Sequence, residues 1–236
     1  MPTPSAIARR EALARVPIFS GLRESDLEEL AVVAHTRRLA ARDELMHKGD
    51  DASQVYVVIS GRLRVTTTSA DGADVVLNLM DPGDVIGELS LLAGGQRTAT
   101  VTALEACELL ALDRRDFLPF LRGHPEVAVE LLQVLAKQVI RVSEFVEDTV
   151  FLNLPTRLAK RLTHLARAYG REVESGVRIE LKLSQHDLGT MVGTSRESVN
   201  KQMRIWEEQG LVTSKQGFVT IHRPRELEEL SGFVNP

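Results

Sequence analysis

The chain has 236 residues, 43% of them hydrophobic and 26% charged, with a net charge of –4 and one cysteine, Cys107. That length suits two domains, each able to bury its own core, and the composition excludes a disordered chain. A lone thiol excludes an intramolecular disulfide and by itself holds neither an iron–sulfur cluster nor a structural zinc, which speaks against redox sensing through cysteine.

The chain opens with a short helical stretch in which the acidic Glu11 sits where a signal peptide would carry its apolar core. No apolar run approaches the ~20 residues that cross a bilayer, so the expected location is the cytoplasm, with no membrane partner. Ser25 reads as the N-cap of a helix over Asp26 to His35. Short strands follow: Glu44 to His47, Val55 to Ile59, Arg62 to Thr67, Val75 to Met80, Thr98 to Ala103 and Glu108 to Leu112. Turn residues separate them, among them Asp71-Gly72, a dipeptide that favours a tight hairpin because both central positions need positive φ. Short strands at this spacing predict an antiparallel barrel or sandwich.

From Glu126 the period becomes helical and holds for about seven turns, with Pro125 just ahead and a stop at Asn153-Leu154-Pro155. Ala128, Leu132, Leu135, Val139, Val142 and Val146 follow a 4-3-4-3-4 spacing, a coiled-coil seam that predicts a homodimer through residues 126–150. The competing reading is a long helix lying on its own barrel.

The last third is basic. From Asn153 to Arg225 there are 13 basic residues against 7 acidic ones, a net of +6 that leaves –10 for the remainder. A basic module joined to an acidic one suggests a polyanion-binding domain plus a second function. Thr156 to Tyr169 is amphipathic, Ser184 caps Gln185 to Val192, and Ser195 caps a helix running to Gln209. Two short strands, Val212 to Ser214 and Phe218 to Ile221, bracket Lys215-Gln216-Gly217 as a wing. The two capped helices read as a helix-turn-helix in which Leu188, Val192, Val199 and Met203 pack together, while Gly189 and Gly193 allow close approach and a tight turn. The second helix presents Ser195, Arg196, Glu197, Asn200 and Lys201, and the first begins at Ser184 and Gln185. N-terminal residues of such a helix meet base edges in the major groove, where arginine reads guanine and glutamate accepts from cytosine.

Gly193-Thr194-Ser195-Arg196-Glu197-Ser198-Val199 resembles the recognition-helix motif of the cyclic AMP receptor protein family, within the CRP/FNR regulators. The order of parts is similar as well. The resemblance implies an α+β architecture with a cyclic-nucleotide-binding jelly roll over 12–123, a dimerisation helix over 124–152 and a winged helix-turn-helix over 153–225. Gly87-Glu88-Leu89-Ser90 followed by Gln96-Arg97-Thr98-Ala99 resembles the family's phosphate-binding cassette. Its chemistry agrees: a cyclic phosphodiester needs a fixed cation (Arg97), a hydroxyl and backbone donors (Thr98, Ala99), an approach free of Cβ atoms (Gly87) and an acceptor for the ribose hydroxyl (Glu88). Where the cyclic AMP receptor protein contacts adenine through a threonine and a serine on its dimer helices, this chain has Val142 and Ser143. The resemblance makes cyclic AMP the first expectation, and because valine has no hydroxyl to offer, cyclic GMP, both nucleotides or a form active without ligand are the alternatives.

The resemblance also implies double-stranded DNA with a palindromic operator and RNA polymerase as partners. A same-fold sensor of haem-bound gas is the runner-up, with His35, His47, His124, His164, His186 and His222 as the available axial ligands. Against an enzyme, the sequence has no Walker loop, no Gly-x-Ser-x-Gly and no metal-spaced His/Glu pair.

Overall fold

The computed structural model describes residues 4–68 and 74–232. The chain divides into two compact units, Met1–Val139 and Ile140–Pro236, and the division falls inside its longest helix.

The first unit opens with α1 (Pro4–Leu13) and α2 (Glu24–Val33). Here the expectation for Ser25 and His35 is corrected. The helix begins at Glu24, and Ser25 lies in its first turn, donating to the Asp26 carboxylate at 3.2 Å. Arg23 at the cap position pairs with Asp26 through Nε and Oδ2 at 2.9 Å. The helix ends at Val33 because His35 starts a strand opposite Ala111.

Eight strands follow: β1 (His35–Leu39), β2 (Glu44–Met46), β3 (Gln54–Ser60), β4 (Leu63–Thr68), β5 (Asp74–Met80), β6 (Val85–Ile86), β7 (Thr100–Ala103) and β8 (Cys107–Asp113). They form two four-stranded sheets, β1-β8-β3-β6 and β2-β7-β4-β5. Tyr56, Val58, Leu109 and Ala111 join residues of the second sheet in one core, whereas Val55, Val57, Leu110 and Leu112 pack with α2 and the helices that follow β8. Both central strands are therefore buried on two faces, which is why they read as continuous apolar runs. The strand expected from Thr98 begins at Thr100, and the two residues before it lie in the loop that precedes the strand. The expected Asp71-Gly72 hairpin lies outside the described residues.

The two-residue β6, the edge strand β1 and the two short helices described next escaped the periodicity argument in this unit. Four of the five residues of β1 are exposed, so an edge strand of sequence His-Thr-Arg-Arg-Leu carries no apolar alternation. The short helix α3 (Glu88–Ala93) follows β6 directly. After β8, α4 (Arg114–Gly123) leads into α5 (Pro125–Phe151).

Val127 and Leu131 of α5 are buried in the core of the first unit, and Val134 packs against it. The other face stays open: Leu132, Val139, Val142 and Val146 are 54–66% exposed. One face of the helix thus lies on its own β unit, while the expected seam remains available.

In the second unit α6 (Leu154–Tyr169) is capped by Asn153, whose Oδ1 accepts from Thr156 N at 3.0 Å. Then come β9 (Gly170–Val173), β10 (Gly176–Ile179), α7 (Gln185–Val192), α8 (Arg196–Glu208), β11 (Val212–Lys215), β12 (Phe218–Ile221) and α9 (Pro224–Leu230). The wing is wider than expected: β11-β12-β10-β9 form one four-stranded sheet, and the β9–β10 hairpin was not anticipated. Lys215 belongs to the strand, paired with Phe218, leaving a two-residue turn of Gln216 (φ 54°) and Gly217 (φ 85°). Among the described residues no helix is long and apolar enough to cross a membrane.

Candidate functional site

The first unit brings its cassette residues together through long-range contacts. The chain leaves β6 through Gly87 at φ 87°, and a Cβ there would meet Arg97 Nη1 at 2.5 Å and Gln54 O at 3.2 Å. Only glycine fits this approach. Arg97 is 4% exposed. Its Nη1 donates to the Gly87 carbonyl at 3.1 Å and its Nη2 to the Gln54 carbonyl at 2.6 Å, and its guanidinium lies 5.7 Å from the centre of the Tyr56 ring. Its own backbone is held by the loop before β3: Arg97 N donates to Asp50 O at 2.7 Å, and Gly49 N donates to Arg97 O at 2.9 Å. Among the described residues no carboxylate forms a salt bridge of 4.0 Å or less with this guanidinium. Burial pulls its pKa below the ordinary arginine range, opposed by Tyr56, Asp50 and Glu88.

Glu88, the first residue of α3, is 3% exposed. Burial pushes its pKa above the ordinary carboxylate range, opposed by the backbone N–H groups of Glu88 and Leu89 and by Gln138, whose Nε2 donates to Oε1 at 3.2 Å. Leu89 offers that N–H while its side chain is 47% exposed. Thr98 is exposed and its N–H donates to Ser90 Oγ at 3.3 Å, whereas the methyl of Ala99 is buried. Gly87, Glu88, Leu89, Arg97, Thr98 and Ala99 therefore share one neighbourhood. Val142 and Ser143 lie exposed on the half of α5 that belongs to the second unit. Sequence reasoning missed Gln54, Tyr56 and Gln138, and quoted Ser90 in the cassette motif without giving it a role. No local signal marks Gln54, since it acts through a carbonyl that every residue carries.

The second unit builds a helix-turn-helix. Ser184 Oγ accepts from Asp187 N at 3.1 Å while the Asp187 carboxylate accepts from Ser184 N at 2.8 Å, a capping box that starts α7. Gly193 ends it at φ 67°. Ser195 Oγ accepts from Ser198 N at 3.2 Å and starts α8. A Cβ on Gly189 would stand 2.8 Å from Thr194 O, so glycine is needed for the two helices to meet this closely. Leu188, Val192, Val199 and Met203 are all buried between them, as the spacing required. Ser195, Arg196, Glu197, Asn200 and Lys201 are exposed, and Gln185 Nε2 donates to Asn200 Oδ1 at 3.2 Å, so α7 orients a side chain of α8. The Glu197 carboxyl is held below its ordinary range by its own N–H and by the Ser195 hydroxyl. At the wing, the Arg178 guanidinium sits 4.3 Å from the centre of the Phe218 ring.

Residues 36–124 match the cyclic nucleotide-binding domain family, and residues 156–230 match the Crp-like helix-turn-helix domain family. The chain is 31% identical over 207 residues to a CRP-like cAMP-activated global transcriptional regulator of Mycobacterium tuberculosis, covering 86% of this chain and 90% of the relative. The chain belongs to the CRP/FNR family of transcription regulators. A second member, the cyclic AMP receptor protein of Thermus thermophilus, is 32% identical over 216 residues, covering 91% of this chain and 96% of that protein. Among solved structures, the c-di-GMP responsive global regulator CLP of Xanthomonas campestris superposes with a TM-score of 0.78 at 21% identity, covering 85% of this chain and 99% of that one. As a CRP/FNR regulator the protein is a DNA-binding transcription factor carrying a cyclic nucleotide-binding domain, in a family of regulators rather than enzymes.

Proposed function

We propose that a cyclic nucleotide bound in the cassette shifts a homodimer of this chain into the form that binds a palindromic operator. The observation that carries the reading is Arg97, a buried cation held in place by the Gly87 and Gln54 carbonyls with no carboxylate in salt-bridge range among the described residues, a setting that suits an anionic ligand. In this reading the cyclic phosphate lies against Arg97 with the Thr98 hydroxyl and the backbone of Thr98 and Ala99. It approaches over Gly87 and the Leu89 N–H, and the ribose hydroxyl donates to Glu88. Cyclic AMP is the first choice, supported by the relatives named for it. Ser143 is the one hydroxyl at the position expected to face the base, because Val142 offers none, and cyclic GMP is therefore the alternative.

Residues 12–123 act as sensor, 124–152 as dimerising helix and 153–225 as reader. The open row of Leu132, Val139, Val142 and Val146 supports self-association through residues 126–150. Paired recognition helices reach successive major grooves about 34 Å apart. Arg196 and Glu197 read bases, Ser195, Asn200 and Lys201 flank them, and Ser184 with Gln185 anchors the first helix at the phosphates. The protein works in the cytoplasm and also meets RNA polymerase.

Titration calorimetry of cyclic AMP and cyclic GMP into the purified protein tests the reading, repeated with Arg97→Ala. Saturable heat with the native chain and none with the variant is expected. No heat with either nucleotide would overturn the cassette assignment.

A further inference from the structure

The first unit carries a second cleft, of about 690 Å³, that none of the cassette residues lines. It lies between the loop before β3 and the length of α4. Ala52, Leu118 and Pro119 give it apolar walls, and Arg114, Arg115 and Arg122 bring three guanidiniums to it. Its two sides are tied together at the end of the β3–β8 ladder, where Gln54 stands opposite Asp113. Arg114 N donates to Ser53 O at 2.8 Å, and Gln54 Nε2 donates to the Asp113 carboxylate at 2.8 Å. The spacing of the walls is therefore set by the sheet.

Charge sets this cleft apart. Outside residues 153–225 the chain has a net charge of –10, yet here three cations face one lining carboxylate, Asp113. Arg115 is engaged by Asp113 at 3.4 Å and by Asp116 at 3.5 Å. Arg114, half-buried, and Arg122, exposed, form no salt bridge of 4.0 Å or less among the described residues. Cations gathered in one cleft focus a positive potential that an anion relieves. Guanidinium forks match phosphate oxygens two at a time, and a cleft within the ~300–1,000 Å³ range of ligand pockets, with apolar walls and a few polar groups, has the size of a small molecule. We infer that the cleft is a second ligand site, taking a polyphosphate that carries a flat apolar body, the chemistry of a nucleoside diphosphate or triphosphate. Arg114 and Arg122 hold the phosphates, and Leu118 and Pro119 receive the base. The inference stands on this cleft and is independent of what the cassette binds.

The test is titration calorimetry of ATP, inorganic triphosphate and adenosine into the purified full chain, repeated with Arg114→Ala and Arg122→Ala. The native chain is expected to give saturable heat with ATP, weaker binding with triphosphate and none with adenosine. Each variant weakens ATP binding at least about 10-fold, the size of one charge-assisted hydrogen bond lost. Thermal unfolding and affinity for random DNA stay native in both variants, because neither guanidinium forms an ion pair within its unit. No heat with ATP or triphosphate overturns the inference. So does native ATP affinity in both variants, or a loss of ATP binding in Arg97→Ala or Lys201→Ala instead, which puts the ligand in the cassette or on the recognition helix. Triphosphate binding as tight as ATP overturns the assignment to a nucleotide.

Discussion

Glu88 and Arg97 are 3% and 4% exposed, whereas Arg196, Glu197, Asn200 and Lys201 stand exposed on one face of α8. The cassette holds its charges in a low-dielectric pocket, where position is set by backbone carbonyls from Gly87 and Gln54 and by an amide from another helix. The recognition helix leaves its charges in water and fixes only the helix that carries them, through the caps at Ser184 and Ser195. A small anion can be enclosed, so the first arrangement suits it. A DNA groove must be entered, and exposed side chains on a rigid rod do that. Changes in the cassette are therefore expected to disturb ligand binding and local folding together, and changes on the face of α8 to affect DNA binding alone.

Gly87→Ala probes the enclosed side of this contrast. The new methyl meets Arg97 Nη1 at 2.5 Å at a positive φ, so strain and overpacking together weaken nucleotide binding by about 2–4 kcal/mol. Calorimetry reads that loss, and affinity for random DNA in the absence of nucleotide stays unchanged. Gly189→Ala is its counterpart in the other unit. With Cβ 2.8 Å from Thr194 O, it lowers the unfolding free energy by about 1–3 kcal/mol in denaturant melts and leaves nucleotide affinity intact.

On the exposed side, Arg196→Ala weakens binding to the cognate operator by about 1–3 kcal/mol with no equal loss on random DNA, whereas Lys201→Ala, if it meets a phosphate, weakens both alike and reduces the salt slope by about 1. Competition anisotropy at several salt concentrations separates the two. Equal losses on both DNAs for Arg196→Ala would remove its base-reading role.

The gentlest probe is pH. Burial raises the folded-state pKa of Glu88, so the stability this group contributes is fully present below its unfolded pKa and is lost as pH rises through the folded one. A ribose hydroxyl prefers the ionised carboxylate, so nucleotide affinity falls as pH drops, starting above the ordinary glutamate pKa of about 4.3. Glu88→Gln flattens both profiles, measurable by calorimetry and thermal melts across that window.

Much of the helical unit was legible because its determinants lie within a dozen residues of one another. Ser184, Gly193 and Ser195 punctuate two helices whose apolar positions recur at helical spacing, and the structure buries Leu188, Val192, Val199 and Met203 together. The same local logic failed at Ser25, where an arginine–aspartate pair replaced a hydroxyl cap, and at β1, whose pairing with β8 outweighed a helical reading of His35. The β9–β10 hairpin was missed because its strands are four residues long and half exposed. β1 pairs with β8 and β10 with β12, both distant in sequence, whereas the Arg23–Asp26 pair is local and competes with the cap on its own ground.

By itself the sequence determined the order of parts, the apolar row of the long helix and the two capped helices, because periodicity, caps and glycine positions act over one or two turns, while the cassette was read from its resemblance to the family motif. Only the tertiary structure decided which carbonyls hold Arg97, 10 and 43 residues away, and that Gln138 would meet Glu88 across 50 residues. Carbonyls and amides recur all along a chain, and only the folded path of the backbone selects which of them meet a buried charge.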